Sequence, residues 1–222
     1  MQIMLYICEY IHLNRIIIHL GMIAFKEFLI SITNESHIPY AREIELQFEN
    51  ASNEKSIGLS LKKGHYIGEK IIKGEAMIAT KQGRLAGFCY LRKRNNDDFV
   101  SISGVVVVPQ FRKKGLAKML IEEMFELARK KYPNAKIFSL TTSPEIMRIN
   151  SLRGYKSVNY TKLSTSKSFW AECSDCPNYH FLQKNGNTRC LCSAMLFNPY
   201  SFNIEDEHQL NDLAIDKNVQ LN

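Results

Sequence analysis

Apolar positions fall into short blocks along this chain, and their spacing assigns most of the elements. Phe25 to Thr33 is apolar on alternate positions, the period of a half-buried strand. Pro39 suits a helix start, and Ala41, Ile44, Phe48 and Ala51 then recur at helical spacing. After the polar break from Asn50 to Ser56, Tyr66, Ile67 and Ile71 predict a second, short helix ending at Gly74. Glu75–Thr80 and Leu85–Leu91 are apolar runs around Lys81-Gln82-Gly83-Arg84, a hairpin signal. Arg92 to Asp98 reads as a charged loop and Phe99 to Val108 as a long β-branched strand. From Gly115 to Lys131 the spacing predicts a helix with Ala117, Leu120, Ile121, Met124 and Ala128 on one face, stopped by Tyr132-Pro133-Asn134. Lys136 to Thr141 follows as a buried strand. Pro144 opens a helix through Asn150, Gly154 ends it, and a last strand is expected around Tyr155–Leu163.

This order predicts an α+β fold with one mixed sheet and helices on its flanks. The organisation expected is an N-terminal extension at 1–22, a domain at 23–165, a Cys-rich extension at 166–200 and a polar, solvated tail at 201–222. The extension admits three readings: an added helix, a membrane-touching segment, or translated upstream sequence with the start near Met22.

Charge narrows the partners. The 222 residues carry a formal net charge of +7, which favours a polyanion such as a phosphorylated cofactor. Lys and Arg do not interleave with aromatics, so nucleic acid is not expected. No run of about 18 apolar residues suggests a membrane span. The start lacks a basic leader and a cleavage site, so a cytoplasmic location with reduced thiols is expected.

The most informative stretch runs from Val105 to Ala117. A strand (Val105, Val106, Val107) ends at Pro109, a basic loop of Arg112, Lys113 and Lys114 follows, and a helix opens at Gly115-Leu116-Ala117. Unpaired N–H groups and a positive dipole end make a helix start fit for a pyrophosphate, with Gly115 and Ala117 leaving room for it. Taken alone, the same residues also suit an ordinary strand–turn–helix with a solvated loop. The block resembles the acetyl-coenzyme A motif of the GNAT acyltransferase superfamily, whose Q/R-x-x-G-x-G/A signature is met by Arg112, Gly115 and Ala117. The element order from Phe25 to Leu163 is similar to that family as well. The resemblance implies a GNAT fold with acetyl-CoA or another acyl-CoA as co-substrate. Pyrophosphate would lie on the backbone of residues 112–117 and pantetheine along Val105–Val107. A neutral amine would attack the thioester directly.

Two of the family's usual groups are missing. No carboxylate lies within Phe99-Val100-Ser101-Ile102-Ser103-Gly104 to act as base; Asp97, Asp98 and Glu145 are nearby alternatives with capping or surface roles equally open. Asn150 stands where the family places its thiolate-protonating tyrosine, and an amide can hydrogen-bond the cofactor but cannot serve as an acid. Tyr155, Thr141, Thr142 and Ser143 are the remaining hydroxyl candidates.

Cys173-x-x-Cys176 and Cys190-x-Cys192 could close a structural zinc site, with His180 as a substitute ligand, or be small buried thiols. With Phe169-Trp170, His37-Ile38-Pro39-Tyr40-Ala41 and Phe138–Ser143, this cluster resembles a GNAT subgroup of Bacteroidetes often encoded beside arginine-biosynthesis genes. That resemblance implies a small-molecule amine acceptor, glutamate first, with an acetyl or succinyl donor. Arg42, Lys55, Lys62 and Lys63 are then candidates to meet its carboxylates, or merely solvated charges. A polyamine or protein acceptor, a non-catalytic acyl-CoA-binding module and a homodimer remain open at this level.

Overall fold

The computed structural model describes residues 22–25, 27–53, 62–94, 98–171 and 173–201. Most of the 1–22 extension, the 201–222 tail, Lys55 and Asp97 lie outside the described residues. The chain folds as two compact units, the first holding described residues 22–53, 62–92 and 102–127, the second 93–94, 98–101 and 128–201.

In the first unit the strands are β1 (Met22–Phe25), β2 (Phe28–Ile32), β3 (Ala76–Lys81), β4 (Arg84–Arg94) and β5 (Phe99–Val107), paired in that order. The single strand expected at 25–33 is thus two. They form a hairpin in register from Met22↔Ser31 to Phe25↔Phe28, because an unbroken apolar run hides its turn. The Lys81–Arg84 hairpin forms as expected. Its two turn residues, Gln82 and Gly83, have φ 51° and 73°, the paired left-handed conformation that matches strand twist.

Two helices interrupt the strands. Asn34 accepts the Ser36 amide at 3.0 Å and donates its own to His37 Nδ1 at 3.1 Å, capping a 3₁₀ turn over Glu35–Tyr40. That turn contains Pro39 and runs into α1 (Ala41–Asn53). Helix α2 spans Gly64–Ile72. Their apolar faces, Ile44, Phe48, Ile67 and Ile71, close over Ile78, Leu85, Phe88, Tyr90 and Val106. Each such side chain contributes about 1.5–3 kcal/mol on burial. Helix α3 (Leu116–Lys131) begins one residue later than its pattern suggested and buries Leu116, Leu120, Ile121, Met124 and Ala128.

The second unit is built on β5, β6 (Lys136–Thr141), β8 (Ser193–Phe197) and β7 (Lys156–Ser157), in that order. β5 pairs in parallel with β6 through Phe99↔Lys136, Val100↔Ile137 and Ser101↔Phe138. β8 runs antiparallel to both β6 and β7. The strand expected over Tyr155–Leu163 is only β7, because Tyr160 and Leu163 turn inward at helical spacing as a short helix. β8 has no counterpart in the sequence pattern; it comes from the 166–200 segment expected as an extension. Helix α4 (Pro144–Leu152) starts at Ser143, whose hydroxyl accepts the Ile146 amide at 3.4 Å. The core of this unit joins Phe99, Phe138, Tyr160, Phe169, Trp170 and Leu182, with the Tyr160 and Trp170 rings stacked at 5.0 Å. The fold is therefore α+β, a mixed sheet flanked by helices. Among the described residues no helix is long and apolar enough to cross a membrane.

Candidate functional site

Where β5 ends, the Val108 amide donates to the Ala86 carbonyl at 3.0 Å, and Pro109–Phe111 then forms one 3₁₀ turn. Proline lacks a ladder donor, so the chain leaves β4 here. Residues 112–115 are exposed, and Lys113 and Gly115 stand at φ 62° and 78°. Left-handed residues in a short loop curl successive N–H groups toward one side, a concavity suited to an anion. The Met119 amide reaches back to the Gly115 carbonyl at 3.1 Å, so the preceding α3 amides have no intrahelical acceptor. The first turn carries no acidic side chain, and a Cβ placed on Gly115 would meet nothing within 4 Å. Arg112 Nε donates to the Val107 carbonyl at 3.1 Å, steadying the loop against its strand. Glu27 bridges Lys81 at 2.8 Å and Lys114 at 3.4 Å, and those lysines hold its carboxyl below the usual range. The structure thus gathers Val105, Val106, Val107, Arg112, Lys113, Lys114, Gly115, Leu116 and Ala117 in the first unit around one open helix start. Leu116 is buried and anchors the helix. The residues present fit a pyrophosphate.

One contributor was missed by sequence reading. Gly104, in β5 just before Val105, has φ 60°, and a Cβ there would lie 2.3 Å from Tyr90 Cε1 and 2.7 Å from Phe48 Cζ. The signal was available: a lone glycine in a β-branched strand marks a bend or close approach.

The other candidates belong to the second unit. Asn150 is 3% exposed, and its amide nitrogen approaches the Met195 thioether at 4.0 Å, so it faces the core. Tyr155 is 4% exposed against Phe197, and burial drives its hydroxyl well above the ordinary tyrosine range. That is the packing role. Tyr155→Phe is accordingly expected to leave thiol release near wild type; a loss of about a hundredfold or more, typical of a missing general acid, would restore its catalytic candidacy. Thr141 Oγ1 accepts the Ser143 amide at 3.0 Å, and Glu145 pairs with Arg148 at 2.8 Å on the surface. Thr142 is half-buried. Asp98 is exposed, and its carbonyl accepts the Lys136 amide at 3.0 Å.

Two buried carboxylates lie in the first unit, and both have partners. Glu45 takes the Arg42 guanidinium at 2.8 Å, which holds its carboxyl below the usual range and makes it a poor base. Glu75 pairs with Lys70 at 2.7 Å.

The cysteines are free thiols. Among the described residues no three His, Cys, Asp or Glu side chains are grouped to hold a metal ion, so Cys173, Cys176, Cys190 and Cys192 do not form the tetrahedral set expected of them. Cys173 and Cys190 pack on the second core, and the Cys190 thiol donates to the Asn178 carbonyl at 3.6 Å. Burial and the neighbouring thiols push Cys192 up to about 12, which keeps it neutral at pH 7. His180 is exposed, its Nδ1 3.0 Å from the Pro177 carbonyl.

No curated protein matches the sequence. Several solved structures share its fold. N-acetylglutamate synthase from Neisseria gonorrhoeae, complexed with coenzyme A and N-acetyl-glutamate, is 20% identical with a TM-score of 0.54. The match covers 79% of this chain and 35% of that one, so this chain spans about a third of the synthase. Rv2747 from Mycobacterium tuberculosis, in complex with CoA and NLQ, is 17% identical with a TM-score of 0.54, over 76% of this chain and 98% of its own. Diaminobutyrate acetyltransferase EctA from Paenibacillus lautus, in complex with L-2,4-diaminobutyric acid and coenzyme A, is 14% identical with a TM-score of 0.50, over 80% and 98%. A model of the acetyltransferase (GNAT) family matches residues 42–160, more than half of the chain and the segment that holds the phosphate loop. The chain therefore belongs to the GNAT acetyltransferase family, as an acyl-CoA-dependent N-acyltransferase.

Proposed function

We propose that this enzyme transfers an acetyl group, or a succinyl group, from acyl-CoA to the amino group of a small amino acid, glutamate first, as a step of arginine biosynthesis. The carrying observation is the open α3 start at Gly115 directly after β5, where the cofactor's pyrophosphate would rest. Past Ser101 the β5 backbone at Val105–Val107 would meet the pantetheine amides as a substitute strand. The acceptor's neutral amine attacks the thioester carbon, a C–N bond forms, the C–S bond breaks, and the thiolate leaves with the electron pair. The amine's proton passes to solvent or thiolate. A thiolate leaves readily, and no described carboxylate is set up as a strong base, so positioning supplies most of the rate.

The amino-acid acceptor draws support from neighbours solved with N-acetyl-glutamate and with diaminobutyric acid. Titration with acetyl-CoA and with succinyl-CoA, followed by a thiol-release screen of amino acids, tests the proposal. Thiol release with glutamate above all other amino acids supports it. Release only with polyamines or a protein, or tight cofactor binding with no release, overturns it.

A further inference from the structure

We infer that Lys62 reads a carboxylate of the acceptor and so makes this an enzyme for anionic amino acids; the inference rests on the amino-acid reading just given. Four cations were candidates for such a contact. Lys55 lies outside the described residues, Lys63 is exposed, and Arg42 is exposed and committed to Glu45. Lys62 is different, because it is 7% exposed. An ammonium withdrawn from water to that degree needs strong electrostatic company.

The surroundings supply direction as well as company. Lys62 Nζ lies 5.6 Å from the centroid of the Tyr66 ring, and Lys70 Nζ lies 5.8 Å from the same ring. Lys70 is answered by Glu75 at 2.7 Å. Tyr66 meets Tyr90 edge-on at 5.6 Å, with 79° between the planes. Tyr90 in turn fills the space under Gly104, the bend of β5 immediately before Val105–Val107. A continuous row of side chains, all within the first unit, therefore joins a buried ammonium to the strand expected to carry the thioester arm. Lysine and tyrosine together suit a carboxylate, and they would repel or ignore a polyamine. Away from bulk water such a contact separates a carboxylate from its amide far more sharply than a solvated lysine does.

The test measures thiol release with glutamate, glutamine and isoglutamine, the two amides each lacking one carboxylate charge. Wild type should prefer glutamate over at least one amide by about tenfold or more, the scale of a charge-assisted hydrogen bond. Lys62→Met should raise the KM for glutamate by about the same factor and erase that preference, with kcat and the acetyl-CoA Kd close to wild type. Lys62→Arg should recover part of the affinity. Should Lys62→Met fail to fold, seen as lost acetyl-CoA binding, Lys62→Arg and the wild-type preference decide the matter. Equal use of glutamate and both amides, or an unchanged KM in a folded Lys62→Met, overturns the role of Lys62 alone. Wild type that binds acetyl-CoA but acylates no amino acid overturns the underlying reading instead.

Discussion

Gly104→Ala is expected to lower the stability of the protein by about 3 kcal/mol or more, adding left-handed backbone strain to overpacking. The φ of 60° is one that an L side chain adopts only at a cost, and the new methyl would lie 2.3 Å from Tyr90 Cε1 and 2.7 Å from Phe48 Cζ. Neither ring can retreat. Phe48 is 0% exposed and Tyr90 3%, and both pack against Phe88. The backbone must then move, and with it the strand that leads into the phosphate loop. For a chain of this size the thermal midpoint should fall by about 6–12 °C. A melting curve within a degree or two of wild type would show that the bend is not set by this contact. Acetyl-CoA affinity should fall in the variant even below its melting range, since the displaced residues adjoin Val105–Val107.

Gly115→Glu should weaken acetyl-CoA binding by about a hundredfold or more, because like charges would meet at the helix start. The fold should survive. A Cβ at Gly115 meets nothing within 4 Å, so the structural cost is the strain of φ 78°, about 1–2 kcal/mol. Gly115→Asn separates the two effects, since asparagine tolerates the same backbone and carries no charge. It should bind clearly better than the glutamate variant. Isothermal titration reads both, and wild-type affinity in Gly115→Glu would remove the pyrophosphate from this loop.

These two glycines differ in how far sequence alone reveals them. Gly115 sits in a local pattern, strand, basic loop and helix start, all within thirteen residues. The hairpin at Gln82-Gly83 was legible for the same reason, as turn chemistry is set by the residues in the turn. Gly104 acts through Phe48 and Tyr90, which are distant in sequence, and only the folded arrangement shows what a methyl would strike. β8 was missed on similar grounds: Ser193–Phe197 is too short and mixed to stand out, and becomes a strand by lying between β6 and β7. Tyr155–Leu163 looked like a strand because Tyr155, Val158, Tyr160 and Leu163 are apolar; their partners decided otherwise. Among the candidate cations, Lys62 and Lys63 are neighbours of one type, and burial alone tells them apart.

The late arrival of β8 also bears on how the chain comes off the ribosome. β6 ends at Thr141, yet the strand that pairs along it from Thr141↔Ser193 to Ile137↔Phe197 is made some fifty residues later. Until residue 197 emerges, β6 and β7 both await their shared partner, and an unpaired strand edge invites pairing with another nascent copy. The family match ends at residue 160, so trimming the gene to that segment would leave this edge open for good. Any shortened gene meant for expression has to run through Phe197.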